Sequence, residues 1–264
     1  MRAVTIVASI LALRAIAAPA HADDWWKGPR GRTRILHGAI AATAGVAYLT
    51  SEIEKGNLAP DHCRWCNPPS FDVSVRNAVV WGNPGRAVTL STITGYVMAP
   101  TLGYGLLGVA SLSRDAASFG RLVDDLVPVL ETVAISQVGT NIVKFTVGRQ
   151  RPYAHFATAP RAADADDNLS FFSGHSALTF AIATSSGLVA HWRHYKVEPV
   201  LWVSGLSLAA VTAYFRLAGD KHYLSDVVTG STVGVVSGLT IPRLMEHDVA
   251  VVPTPGGAAV VGMF

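Results

Sequence analysis

The feature that most constrains this chain is a series of apolar stretches, rich in Ala, Leu, Val and Gly, that far exceed the length of a β-strand. They lie at about 35–53, 87–112, 122–149, 174–193, 198–217 and 222–244. Runs of that length satisfy their backbone as helices, so the fold class expected is all-α, a helical bundle of about six long helices. Half of the 264 residues are apolar, 15% are charged, and mean hydropathy is +0.35. That balance is unusual for a soluble globule and points to a membrane-embedded bundle.

Two observations keep a soluble, exported bundle in view as the alternative. The runs 176–190 and 227–242 fall short of the roughly 20 residues that a span needs, and they contain Ser, Thr and Gly. The 122–149 helix begins with Asp124 and Asp125 and carries Glu131, which must face the bundle interior if that helix crosses a bilayer. The net charge of +3 is spread along the chain without a Lys/Arg run, which excludes a nucleic-acid partner.

Residues 1–22 read as an export signal or, alternatively, an uncleaved N-terminal anchor: Arg2, an apolar region over 5–13, then small residues ending Ala20-His21-Ala22. Residues 23–264 read as one helical domain. Its 54–86 segment carries Pro60, Pro68, Pro69 and Pro84 and reads as a loop with one short helix near 71–81. Pro100 is expected to kink or break the second long helix. Residues 153–171 form a polar connection, and 251–264 a Gly/Pro-bearing apolar tail. The only cysteines, Cys63 and Cys66, form a C-x-x-C in which a local disulfide is expected on export, with a share in a metal site beside His62 as the alternative. The basic connections at 114–121 and 191–196 belong on the cytoplasmic side by the positive-inside rule, which turns the opposite helix ends outward.

Three segments place cations and imidazoles at the ends of apolar helices. In the first, Lys144-Phe145-Thr146-Val147-Gly148-Arg149-Gln150-Arg151-Pro152, a continuous helix sets Lys144, Gly148 and Arg151 on one face with the cations about 10 Å apart. Arg151 offers a phosphate bidentate hydrogen bonds and Lys144 a point charge. In the second, Ser173-Gly174-His175 opens a helix whose first N–H groups make an anion site, with His175 placed to protonate a leaving oxygen. In the third, which runs from Arg216 to Asp226, Gly219 ends one helix and Asp220 caps the next. His222 and Asp226 then stand four residues apart on that helix, the carboxylate orienting one ring nitrogen and leaving the other free as a nucleophile. Taken singly, these are an interfacial cation pair, an N-cap and a helix-surface ion pair.

In order and spacing together, Lys144-x6-Arg151-Pro152, Ser173-Gly174-His175 and Arg216-x5-His222-x3-Asp226 resemble the three-part signature of the type 2 phosphatidic acid phosphatase and vanadium haloperoxidase superfamily. The motifs occupy 144–152, 172–175 and 215–226. Phe172 stands where the family usually has Pro, and Phe215 where it usually has Ser. The resemblance implies a phosphoric ester hydrolase in which Lys144, Arg151, Arg216, the Ser173 hydroxyl and the Gly174 amide hold phosphate oxygens. His222 attacks phosphorus, Asp226 orients it, and His175 protonates the leaving alcohol. No cofactor and no metal are expected, since three cations supply the positive charge. The implied substrate is a lipid phosphate or diphosphate at the outer face of a cell membrane. The alternatives are a soluble exported phosphatase acting on small phosphomonoesters and a vanadium-dependent haloperoxidase; no protein partner is inferable.

Overall fold

The computed structural model describes residues 28–113, 119–159, 162–247, 249–254 and 257–262. The expected export signal or anchor at 1–22 lies outside the described residues. In chain order the elements are α1 Gly28–Ile53, α2 Lys55–Leu58, α3 Ser70–Val79 and α4 Pro84–Ile93, followed by two π-helical turns, Thr94–Met98 and Thr101–Gly105. There follow α5 Leu106–Leu112, α6 Phe119–Val147, α7 Pro152–His155, α8 Gly174–Trp192, α9 Glu198–Ala218 and α10 Leu224–Glu246. The six expected long helices correspond to α1, the α4–α5 run, α6, α8, α9 and α10.

Two expectations need correction. The apolar tail is an antiparallel hairpin, β1 Val249–Thr254 with β2 Gly257–Gly262, so all-α describes the bundle and not the whole chain. Valines on both sides of the Pro255-Gly256 dipeptide supply β propensity and a turn signal. Pro100 does not break its helix. It sits between the two π turns, which absorb its missing N–H and its ring, and the helix runs on from Pro84 to Leu112.

Helix α8 is the central element, buried along most of its length, and its small residues let neighbours approach. The closest approach is made by α10. A Cβ on Gly230 would stand 2.4 Å from the Ser173 carbonyl oxygen, one on Gly234 2.5 Å from that of Ala177, and one on Gly238 1.8 Å from Thr184 Oγ1. Only glycine at every fourth position allows the two backbones to meet in this way. The result fixes the start of α10 against the start of α8, where the second and third motifs lie.

The exterior is apolar, with Val46, Val109 and Val203 each more than 60% exposed. Four stretches, Pro84–Leu112, Phe119–Val147, Glu198–Ala218 and Leu224–Glu246, are long and apolar enough to cross a membrane. The acidic groups of α6 face inward, as a membrane requires. Asp124 forms a double hydrogen bond with Arg34 at 2.6 and 2.7 Å, Asp125 accepts from Arg193 at 2.7 Å and from Tyr195 at 2.5 Å, and Glu131 pairs with His37 at 2.7 Å. The Arg34 and His37 bonds tie α1 to α6, and the Arg193 and Tyr195 bonds tie α6 to the connection between α8 and α9 at the bundle end opposite the motif segments. Gly238→Val is expected to lose the α8–α10 contact, costing roughly 1–3 kcal/mol or more, seen as a lower melting temperature in detergent; an unchanged melting temperature would contradict the close packing described.

Candidate active site

The motif residues gather at one end of the bundle, and the local chain geometry explains how. Helix α6 stops at Val147 because Gly148 has φ +58°, a conformation that glycine adopts without steric cost. The expected continuous helix through Arg151 is therefore not present. The chain turns instead, and Arg149 and Arg151 are carried in extended backbone beside Lys144, the last cation of α6. Ser173 caps α8, its hydroxyl accepting from the amide of Ser176 at 3.4 Å and from the hydroxyl of Ser176 at 2.9 Å. The Phe171–Phe172 peptide before it is cis. Helix α9 ends at Ala218 with Arg216 in its last turn, and α10 begins at Leu224.

His222 therefore precedes α10, and the expected arrangement of His222 and Asp226 on one helix is corrected. The cap residue of α10 is Tyr223, whose amide donates to Asp226 Oδ2 at 2.9 Å, and not Asp220. Asp220 instead forms a double hydrogen bond with Arg76 at 2.7 Å. The nearest partner of His222 Nδ1 is the carbonyl oxygen of Ser170 at 2.8 Å, while Asp226 Oδ2 lies at 3.6 Å. A carbonyl only accepts, so Nδ1 carries the proton and Nε2 presents its lone pair. Arg151 Nη1 lies 3.3 Å from that Nε2.

Arg151 is itself fixed by the carbonyls of Asp166 at 2.8 Å and Lys221 at 3.1 Å. His222 is 2% exposed. Burial, then the positive charges of Arg151, Arg216 and Lys144, hold its pKa well below the ordinary value of 6.5, keeping the ring neutral. Asp166 borders the same cluster, within 3.3 Å of Lys55 and 3.7 Å of Arg151. Burial acts to raise its pKa, but Arg151, Lys55 and Lys144 outweigh that effect and bring it down to about 2.

The cations are incompletely satisfied. Arg216 donates to Ser91 Oγ at 3.1 Å, but its Nε is buried without a partner among the described residues, and so is Nε2 of His175. Among the described residues neither Lys144 nor Arg216 has an ion pair. Lys144 approaches Gly174 so closely that a Cβ there would lie 3.3 Å from its Nζ. Gly174 is thus the position where a side chain would fill the space beneath the lysine. The ring of Tyr96 packs edge-on against His175 with centroids 4.6 Å apart. Orphaned donors and unpaired cations around a neutral imidazole form a ready site for an anion.

Asp226 serves a different partner from the one expected. It accepts from Arg149 Nη1 at 2.5 Å and from Ser170 Oγ at 2.5 Å. Arg149 also binds Ser225 Oγ and Asp72 Oδ2, each at 2.7 Å, and its guanidinium lies between the rings of Trp65, 3.9 Å away, and Tyr223, 4.4 Å away. Cys63 and Cys66 form the expected disulfide. The loop they close pairs with the chain at Arg149: Trp65 bridges Arg149, and Gln150 N donates to Trp65 O at 3.1 Å. Arg149, Asp72 and Ser170 are site residues that spacing did not single out. The one available signal was the position of Arg149 two residues before Arg151; nothing local marks Asp72.

A match to the PAP2 superfamily covers residues 125–249. A protein of Arabidopsis thaliana named "Probable lipid phosphate phosphatase beta" is 31% identical over 143 residues, which cover 47% of this chain and 67% of that protein. The "Lipid A 1-phosphatase" of Porphyromonas gingivalis is 32% identical over 98 residues, 37% of this chain. The chain belongs to the PAP2 superfamily. It spans 19% of the length of the Porphyromonas protein, and 38% of that of a Drosophila melanogaster relative to which it is 30% identical. A transmembrane PAP2 type phosphatidylglycerolphosphate phosphatase of Bacillus subtilis, known from its crystal structure, superposes with a TM-score of 0.48 at 14% identity, over 77% of this chain and 96% of that one.

Two outcomes are expected from this geometry. Arg149→Met leaves two buried carboxylates without their cation and lowers stability by about 3–5 kcal/mol, measured by denaturant unfolding in detergent; a change within error would mean that the pair is not buried as described. NMR of nitrogen-labelled histidine should show His222 neutral and protonated on Nδ1 at pH 6.5, and Arg151→Gln should raise its pKa by removing a neighbouring positive charge.

Proposed function

We propose that this chain hydrolyses a lipid phosphate or diphosphate ester through a phosphohistidine on His222. The observation that carries the reading is the unprotonated Nε2 of His222, approached by Arg151 at 3.3 Å, beside Lys144 and Arg216, two cations that lack counter-charges among the described residues. A phosphoryl group supplies those counter-charges. Bound among Lys144, Arg151 and Arg216, with the Ser173 hydroxyl and the Gly174 amide at the start of α8, its equatorial oxygens are stabilised as charge moves through the transition state.

In the first step His222 Nε2 forms a bond to phosphorus and the bond from phosphorus to the leaving oxygen breaks. His175 gives its proton to that oxygen, and the alcohol of a monoester, or the lipid monophosphate of a diphosphate, departs. The negative charge of the bound phosphoryl group favours the proton on His175 beforehand. In the second step water attacks phosphorus, His175 takes up the water's proton, the N–P bond breaks, and phosphate leaves. The Ser170 carbonyl holds the His222 tautomer throughout, and Asp226 holds the hydroxyl of Ser170 together with Arg149. Three fixed cations provide the electrostatic stabilisation, so no metal is required.

The names of the relatives support a lipid substrate, and so does the apolar exterior, since amphiphile head groups would lie within reach of the bundle end that carries the motif residues. The site faces outward in this reading, because the basic segment containing Arg193 and Lys196 joins α8 to α9 at the opposite end.

Purified protein in EDTA is expected to release phosphate from phosphatidate, and His222→Ala to lose at least about a thousandfold in kcat. Persistent turnover by His222→Ala, or a strict need for an added divalent ion, would overturn the mechanism. For sidedness, intact cells should hydrolyse a membrane-impermeant phosphate ester as fast as permeabilised cells; activity that appears only on permeabilisation would put the site inside.

A further inference from the structure

Beside the phosphate cradle lies an apolar cavity of about 540 Å³ between α1, the π turns after α4, α6 and α8. Its site end is formed by Tyr96 and Gln137. Both residues also touch the cradle: Tyr96 packs on His175, and Gln137 Nε2 donates to the Gly174 carbonyl at 3.2 Å. The cavity thus shares two wall residues with the proposed phosphate cradle. It runs along α6 from Gln137 to Val127, ten residues or about 15 Å of helix.

The α1 wall is cut away by Gly38, Ala41, Ala42 and Gly45, at spacings that put them on one helical face. A Cβ on Gly38 or Gly45 would meet nothing within 4 Å. Among the described residues no charged side chain lines the cavity, and Gln137 is the one amide, at the end nearest the proposed phosphate cradle. On the bilayer side the rim residues Leu49 and Leu130 are 60% and 47% exposed, so the cavity opens sideways from the bundle.

Resting on the phosphatase reading above, we infer that this groove houses one hydrocarbon chain of the substrate and sets the preference for chain length. A phosphate held by Lys144 and Arg216 tethers its own alkyl group within a few bonds of Tyr96 and Gln137, and the groove offers that group a continuous apolar wall. A water-soluble phosphate ester has nothing to place there. A chain too short to reach Gly38 leaves the far half of the groove unfilled and forgoes its share of apolar burial.

The test compares kcat/KM for hexadecyl, octyl and phenyl phosphate in the full-length protein and in Gly45→Leu, Gly38→Leu and Gly105→Leu. A Cβ at either groove position has no described protein atom within 4 Å, and each substitution replaces a helical glycine with a good helix former, so folding is expected to be preserved. Gly105 is equally open but lies outside the groove, and it controls for the added side chain. Gly45→Leu is expected to lower the hexadecyl-to-phenyl ratio by about tenfold or more, through KM. Gly38→Leu, about 10 Å further along α1, should lower the hexadecyl-to-octyl ratio, and Gly105→Leu should change neither. If the groove variants leave the ratios unchanged, or depress all three substrates equally, the groove does not hold the chain. If the unsubstituted protein turns over none of the three, the phosphatase reading itself fails, and this inference with it.

Discussion

The arrangement on which the site depends is the buried guanidinium of Arg149, held edge-on by Asp72 and Asp226 and face-on by Trp65 and Tyr223. Carboxylates this deeply buried are costly unless paired, and Arg149 pairs two at once. One belongs to α3 and the other to the first turn of α10, so the ion pairs draw together segments 154 residues apart in the chain. Ser170 joins the same network through its hydroxyl and offers its carbonyl to His222. The orientation of the proposed nucleophile therefore traces back, through Ser170 and Asp226, to Arg149. The disulfide loop of Cys63 and Cys66 takes part through Trp65, which covers one face of the guanidinium and pairs with its backbone.

The bundle solves two opposing requirements. Its outer surface is apolar, while its interior carries the acidic groups of α6 and the cations of the site. At one end Asp124 and Asp125 are paired within the protein with Arg34 and Arg193, and further along α6 Glu131 is hydrogen-bonded to His37. At the other, Lys144 and Arg216 have no carboxylate partner among the described residues. The polar interior is thus balanced where it is structural and unbalanced where a phosphoryl group is proposed to bind. The glycine row of α10 makes this end compact, because it brings the cap of α8 and the start of α10 to backbone contact and so sets Ser173 near Asp226, whose carbonyl accepts from the Ser173 amide at 3.0 Å.

Much of this was legible in the sequence, and the parts that were not share a physical cause. The long helices followed from apolar run length, and the gathering of Lys144, Arg151, His175, Arg216 and His222 followed from three motifs whose spacing is local. The spacing of Lys144, Gly148 and Arg151 suits a continuous helix, whereas the positive φ of Gly148 ends that helix; spacing carries no sign of a backbone dihedral. Asp226 was assigned to His222 on helical spacing and on the family resemblance, and it lies 3.6 Å from His222 Nδ1. Its actual partners come from residues 149 and 170, and Asp72 lies in a segment without any motif. Such long-range pairings leave no periodic trace. The C-terminal hairpin was missed because a short apolar run flanked by Gly and Pro suits a tail as well as a strand.

The central claim is that the phosphoryl group rests covalently on His222 between the two chemical steps. The most direct measurement is mass spectrometry of His175→Gln protein quenched in alkali during turnover of phosphatidate, because this variant keeps the nucleophile but lacks the acid–base imidazole of the second step. The account predicts phosphorylation mapped to His222, chased away with time and missing when His222 is replaced by Ala as well. A variant that still turns over substrate yet shows no phosphorylated histidine at any time, or shows the group on another residue, would contradict it.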